Sequence, residues 1–225
     1  MKKITALVAQ KKNPDRVNVH LDGEFAFGLA RITAAWLKVG DALSDEKIAQ
    51  LQNEDERERA MGQALLFLSY RARSEKEIRQ NLKKHEYSEA AIEHTLSRLR
   101  ENRLADDGEF ARTWVENRSA FRPRSRRALT MELRQKGLDE ETVREAVSDV
   151  DEEALAYETA RRWATRLKRP ALSRSQNLEW NEFRRKLSDH LARRGFPYPV
   201  VSSVVTRIWN ETHTEETHYE DEDTT

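Results

Sequence analysis

Three times in 225 residues, six apolar positions recur with the spacing 4, 5, 5, 4, 3. The first set is Ile78, Leu82, Tyr87, Ile92, Leu96 and Leu99. The second is Leu129, Leu133, Leu138, Val143, Val147 and Val150, and the third is Leu187, Leu191, Phe196, Val201, Val205 and Ile208. Steps of three and four keep side chains on one helix face, and the steps of five carry the chain through a turn. Each set follows an earlier helix marked by an alanine three residues before an aromatic: Ala64/Phe67, Ala111/Trp114 and Ala160/Trp163. Those aromatics read as core packing. Self-similarity at this period means stacked helical modules. The chain reads as mostly α, with three-helix repeats at 60–100, 104–150 and 151–210. Stacked together they are expected to share a continuous core and form an elongated, curved body rather than a globule with one deep pocket.

The punctuation agrees with the repeat. Gly137 and Gly195 stand just before the third apolar position of their sets, where the residue after a helix end takes positive φ. Glu86 occupies that place in the first set, so its turn is expected to be less favourable. Ser88 and Asp139 are N-cap candidates, Pro197 suits a helix start, and Ser74-Glu75-Lys76-Glu77 fits a capping box. The loop after the first helix lengthens from Arg71–Arg73 to Ser119–Arg124 to Leu167–Leu178.

The chain opens differently. Ile4–Ala9 is β-branched, Arg16–Leu21 alternates with period two, and Glu24–Phe27 returns after Asp22-Gly23, a strong hairpin signal. Lys11–Asp15 reads as a turn. Residues 1–28 thus form a small β-hairpin/meander, which needs a helix or a partner to pack on. Residues 29–59 read as linking helices, over Leu29–Leu37 and from the N-cap Ser44 to Arg59.

Charge is balanced overall, 40 Lys+Arg against 40 Asp+Glu, but unevenly placed. The stretch 211–225 holds seven acids and no Lys or Arg, lacks apolar periodicity and reads as a disordered acidic tail. Without it the body carries +7 (40 bases less 33 acids). Five arginines and no acid lie between Arg118 and Arg127, and eleven bases face four acids between Glu158 and Arg194. A charge run is ordinarily a solvated helix face; an anionic partner is the alternative.

The residue inventory narrows the chemistry. There is no Cys, which excludes disulfides, thiolate metal sites and Cys nucleophiles and suits the cytoplasm. Gly and Pro number seven and five, and no phosphate-cradling glycine loop or Gly-x-Ser-x-Gly elbow occurs. The six histidines (20, 85, 94, 190, 213, 218) show no metal-ligand spacing, so neither a metal nor another cofactor is expected. Asp106-Asp107 reads as helix capping rather than a paired-acid metal site. No apolar run approaches the ~20 residues of a membrane span. A helix-turn-helix reading fails on charge: the third helices carry Glu89, Glu93 and His94, then Glu140, Glu141, Arg144 and Glu145. Such acidic helices are poor candidates for a phosphate-lined groove.

At these residues the chain resembles the RecX family of bacterial regulatory proteins. The likeness rests on the hairpin Val17–Phe27 with Asp22-Gly23-Glu24-Phe25, and on Arg73-Ser74 followed by Glu77-Ile78-Arg79 and Leu82. It rests also on Asp106-Asp107 with Phe110-Ala111 and Trp114, on Arg118, and on Glu132-Leu133-Arg134-Gln135-Lys136-Gly137. The resemblance implies tandem three-helix repeats and binding along the groove of the RecA–DNA filament, restraining RecA's ATPase, strand-exchange and coprotease activities in DNA repair. It implies no catalytic residue, so the chain is not expected to be an enzyme. Glu86 and the acidic segment after Ile208 depart from the family pattern, and the tail is then free to compete with DNA for the Arg-rich faces.

The two lines of reading meet in an arginine surface. Arg118, Arg122, Arg124, Arg126 and Arg127, continued by Arg161, Arg162, Arg184, Arg185, Arg193 and Arg194, are expected to face DNA phosphate or acidic RecA loops. The expected partners are the RecA filament and single- or double-stranded DNA, without sequence preference and without a membrane, for a monomer. A nucleic-acid-binding repeat protein acting without RecA is the alternative. A helical adaptor for some other protein and a metal-dependent nuclease stand further off.

Overall fold

The computed structural model describes residues 1–167 and 179–220. The long loop expected across 167–178, with its Arg169-Pro170 step, therefore lies almost wholly outside the described residues, as do 221–225. The chain divides into two compact units, Met1–Asp106 and Asp107–Thr225.

The first unit opens with β1 (Lys2–Gln10), β2 (Asn13–Leu21) and β3 (Glu24–Ala30). Asp22 and Gly23, at φ 51° and 95°, join β2 to β3, since a tight hairpin that follows the strand twist needs left-handed residues at both places. The turn between β1 and β2 is shorter than the five residues expected: Gln10 already pairs with Asn13. A two-residue strand, β4 (Ala42–Leu43), pairs with Lys2 and Lys3, so the meander is a four-stranded sheet in the order β3-β2-β1-β4. Helix is confined to α1 (Arg31–Ala34) where Leu29–Leu37 was expected. The period-two alternation continues past Phe27, and Leu29, paired with Val17, is fully buried as a strand residue.

The linking helix and the first helix of the first repeat are one element, α2 (Asp45–Ser69), 25 residues long, with Ser44 capping its start. The boundary expected at 59/60 falls in mid-helix. Nothing between Ser44 and Tyr70 breaks helix beyond a single tolerated glycine, Gly62. Sheet and helix are fastened by Arg16 and Asp55, a pair that sequence periodicity does not reveal. Arg16 Nη1 and Nη2 donate to the Asp55 carboxylate at 3.2 and 2.8 Å, and the Ala30 N–H donates to it at 2.7 Å. Asp55 is 4% exposed.

The first module is completed by α3 (Glu75–Lys84) and α4 (Glu89–Glu101). The second comprises α5 (Asp107–Phe121), α6 (Arg126–Gln135) and α7 (Glu140–Val147). The third comprises α8 (Glu152–Leu167), α9 (Trp180–Ala192) and α10 (Tyr198–Glu220). Of the eighteen ladder positions only Tyr87 is not fully withdrawn from solvent, and it still packs on its module's core. Ala64, Ala111 and Ala160 are all 0% exposed, while Phe67, Trp114 and Trp163 are half-buried against the same cores. Ser74, Ser88 and Asp139 cap as expected, each accepting the N–H three residues on, and Ser125 does the same for α6. Glu77 of the expected capping box turns its carboxylate to Arg71, at 3.0 and 3.1 Å.

Two expectations are corrected. The buried residues form four separate clusters, one under the sheet and one in each module, rather than one continuous core. Three helices crossing over six ladder positions bury their apolar faces within the module. And helix does not stop where the acidic stretch begins: α10 runs on to Glu220. Glu211 accepts hydrogen bonds from Tyr157 Oη and Arg207 Nε, both at 2.9 Å, which ties the start of the acidic segment to the third module.

Gly137 and Gly195 adopt φ 91° and 87°, and Glu86 is held at φ 60°. A side chain in that region costs about 1–2 kcal/mol. Glu86→Gly is expected to raise the unfolding free energy by about 1 kcal/mol, read as a higher denaturant midpoint at unchanged slope. Asp55→Ala leaves Arg16 and the Ala30 N–H facing a buried gap and is expected to lower it by about 3 kcal/mol in the same titration.

Candidate anion-binding cleft

The arginines sort into two populations by their partners. Arg71 pairs with Glu77, Arg98 with Glu58, Arg100 with Glu75 and Arg134 with Glu140. The acids of α4 behave alike: Glu89 and Glu93 both pair with Arg79. These pairs run along and between neighbouring helices.

Unit 2 contains the exception. A cleft of about 400 Å³ opens between the α5–α6 connection, α8 and α9. The connection contributes Phe121, Arg122 and Arg124; α8 contributes Arg162, Trp163 and Arg166; and His190, Arg193 and Arg194 come from the end of α9. Six arginines converge and, among the described residues, no carboxylate lines the space. Among the described residues, none of Arg122, Arg162, Arg166, Arg193 and Arg194 has an acid within ion-pair distance. The nearest for Arg124 is Glu132, at 3.8 Å.

The main chain, not acid, positions these groups. Arg162 Nη1 donates to the Ala120 carbonyl at 3.2 Å, Arg124 Nη1 to the Arg193 carbonyl at 3.1 Å and Arg194 Nη1 to the His190 carbonyl at 3.1 Å. The Ser125 N–H donates to the Arg194 carbonyl at 3.1 Å, closing the α5–α6 connection onto the end of α9. Gly195 makes this approach possible: a Cβ there would stand 2.7 Å from Ser125 Oγ. Trp163 forms the floor, edge-on to Phe183 with ring centres 5.6 Å apart and tilted against His190 at 6.1 Å.

Crowding of like charge marks the site. Burial, and then the charges of Arg194, Arg193 and Arg166, hold the His190 imidazole down at about 4, so it is neutral at physiological pH. Arg194 is lowered from its ordinary value by burial and then by Arg124, Arg193 and Arg166. A concentration of unanswered positive charge over an aromatic floor favours an anion, and guanidinium forks suit phosphate or carboxylate oxygens.

Of the eleven arginines singled out in the sequence, the structure brings five to the cleft: Arg122, Arg124, Arg162, Arg193 and Arg194. Arg118 is instead held by Glu132 at 2.7 Å and lies over Trp114, while Arg161 pairs with Glu158 at 3.3 Å. Arg126 donates to the Val150 carbonyl at 2.7 Å. Arg127, Arg184 and Arg185 are exposed and outside the cleft. Arg166 was missed, although the signal was present: residues four apart share a helix face, so Arg162 is matched with Arg166, not with Arg161. Among the described residues no group of three or more His, Asp or Glu is placed to hold a metal ion. No described helix is long and apolar enough to cross a membrane.

Comparison with known proteins places this geometry in context. Residues 2–44 match the regulatory protein RecX N-terminal domain, 60–99 the first RecX three-helix domain and 106–147 the second. The regulatory protein RecX of Bacillus subtilis (strain 168) is 34% identical over 207 residues, 91% of this chain and 76% of the relative. That of Leuconostoc mesenteroides is 31% identical over 216 residues, 94% and 78% of the two chains. A crystal structure of regulatory protein RecX superposes with a TM-score of 0.65 at 27% identity, covering 91% of this chain and 98% of that one. RecX from Lactobacillus salivarius shares the fold, with a TM-score of 0.57 at 20% identity over 68% and 97% of the chains.

The neutral His190 gives a pH signature. As pH falls, the unfolded chain takes up the imidazole proton near 6.5 and the folded one only near 4. Stability complete above about pH 6.5 is therefore lost progressively down to about pH 4. His190→Asn is expected to flatten that part of the stability–pH curve and leave the carboxylate-dependent part below it, as measured by urea unfolding at each pH.

Proposed function

Because the chain belongs to the RecX family of regulatory proteins, we propose that it binds the RecA–DNA filament through the arginine cleft and slows RecA's ATP-driven cycle. The observation that carries the reading is the set of five arginines gathered in one cleft without an acidic partner, whereas eleven arginines elsewhere, among them Arg71, Arg98 and Arg118, are held by acids. A guanidinium already held by carboxylate has little to offer a phosphate, whereas these lose mutual repulsion on meeting one. The function is binding rather than catalysis, exerted in the cytoplasm. Slowing a cyclic machine requires tighter binding to one filament state than to the other, so that state gains population at the expense of turnover. Restraint of strand exchange and coprotease activity follows from the same shift.

The same cleft also supports binding of nucleic acid without RecA. That reading expects equal inhibition of any enzyme working on the same strand and a steep fall of DNA affinity with salt.

The deciding experiment is RecA's ATPase on single-stranded DNA at low salt, titrated with the full chain. Arg122→Glu, Arg162→Glu and Arg166→Glu together are expected to raise the concentration for half-inhibition at least tenfold. Arg161→Glu and Arg184→Glu, outside the cleft, are expected to leave it within about twofold. If the cleft variant inhibits as well as the parent, the surface is wrongly assigned. If an unrelated DNA-dependent ATPase is inhibited to the same degree, the RecA-independent reading replaces this one.

A further inference from the structure

The three modules share one register, so the cleft can be compared with its counterparts inside the same chain. Where the third module has Arg162, Arg166, His190, Arg193 and Arg194, the second has Thr113, Asn117, Glu132, Gln135 and Lys136. The first has Leu66, Tyr70, Asn81, Lys84 and His85. The three-helix fold therefore forms without an arginine at any of these positions. In the second module Glu132 answers the charge: it accepts from Trp114 Nε1 at 2.9 Å and Arg118 Nε at 2.7 Å, while Lys136 lies over the Trp114 ring. In the third, the place of Glu132 is taken by His190, which carries no charge to set against the arginines. The charge is concentrated where the built-in counter-charge has been removed.

Size and charge density then narrow the ligand. About 400 Å³ is the scale of a small-molecule site, and a duplex can touch its rim but not enter. A single strand that enters brings one charge per nucleotide, spread along sugar and base. Six guanidinium groups around so small a space are answered better by phosphates linked directly to one another, each offering oxygens to a fork of N–H donors. We propose that the cleft is a binding site for a condensed phosphate chain, the di- or triphosphate of a nucleotide or inorganic polyphosphate. The inference shares with the proposed function only the premise that the cleft accepts anions, and it requires neither RecA nor DNA.

The test is calorimetric titration of the purified full-length chain at low salt, without metal, RecA or DNA, using orthophosphate, tripolyphosphate and ATP as probes. Tripolyphosphate is expected to bind one per chain and at least tenfold more tightly than orthophosphate. His190→Glu, which restores the second module's arrangement, is expected to weaken it at least tenfold. Arg166→Gln with Arg193→Gln, two exposed side chains without a hydrogen bond or ion pair among the described residues, should do the same with the thermal melt unchanged, which separates ligand loss from misfolding. Arg184→Gln with Arg185→Gln is the control outside the cleft. ATP binding like tripolyphosphate identifies the phosphate chain as the whole recognition element; ATP binding tenfold more tightly adds the nucleoside and makes a nucleotide the ligand. Equal affinity for orthophosphate and tripolyphosphate, or equal weakening by the control pair, overturns the proposal. Should it fall while inhibition of RecA persists, the cleft remains a macromolecular contact and only the small ligand is lost.

Discussion

Each module depends on reversing direction within four or five residues between its second and third helices. The reversal is made by one left-handed residue, Glu86, Gly137 or Gly195, followed at once by a ladder side chain that drops back onto the core. With the turn fixed, the remaining ladder positions fall on facing helices and the three helices close around them. Apolar burial is spent inside the module, so its outer faces need only be soluble. This leaves the surface open to variation in charge while the fold stays the same, as the three differing sets of residues at the cleft positions show.

Local pairs hold part of the charge, among them Arg79 with Glu89 and Glu93 and Arg98 with Glu58. Individually these exposed pairs contribute little to stability, a few tenths of a kcal/mol to about 1 kcal/mol each. Their larger effect is on where the field is not cancelled. A protein of zero net charge can present a concentrated positive region only if its acids are committed elsewhere. Here some are committed along α4, around Glu132 and at Glu211.

The modules were legible because burial writes itself into spacing: seventeen of the eighteen ladder residues are buried, and both turn glycines have positive φ. The hairpin was legible because Asp-Gly is suited to a conformation most residues avoid. What spacing does not show is pairing between distant elements. Arg16 and Asp55 are 39 residues apart, and β4 meets β1 across some forty residues, so neither leaves a local pattern. The cleft was half legible. Runs of consecutive arginines drew attention, but neighbours in sequence point about 100° apart on a helix. The pairs that matter, Arg162 with Arg166 and His190 with Arg194, are four apart. That Arg118 is already engaged follows from Glu132 on the next helix, whose position relative to it only the fold supplies, whereas Glu158 stands three residues before Arg161 on the same helix, a spacing the sequence itself offers.

The contact between Gly195 and Ser125 bears on how the cleft meets a ligand. Packing there is tight enough that even one added carbon would collide, so the second and third modules are seamed together along the rim. The receptor is accordingly preformed at the level of its backbone. The entropic cost of capture then includes the arginine side chains, about 0.5–1.5 kcal/mol for each one immobilised.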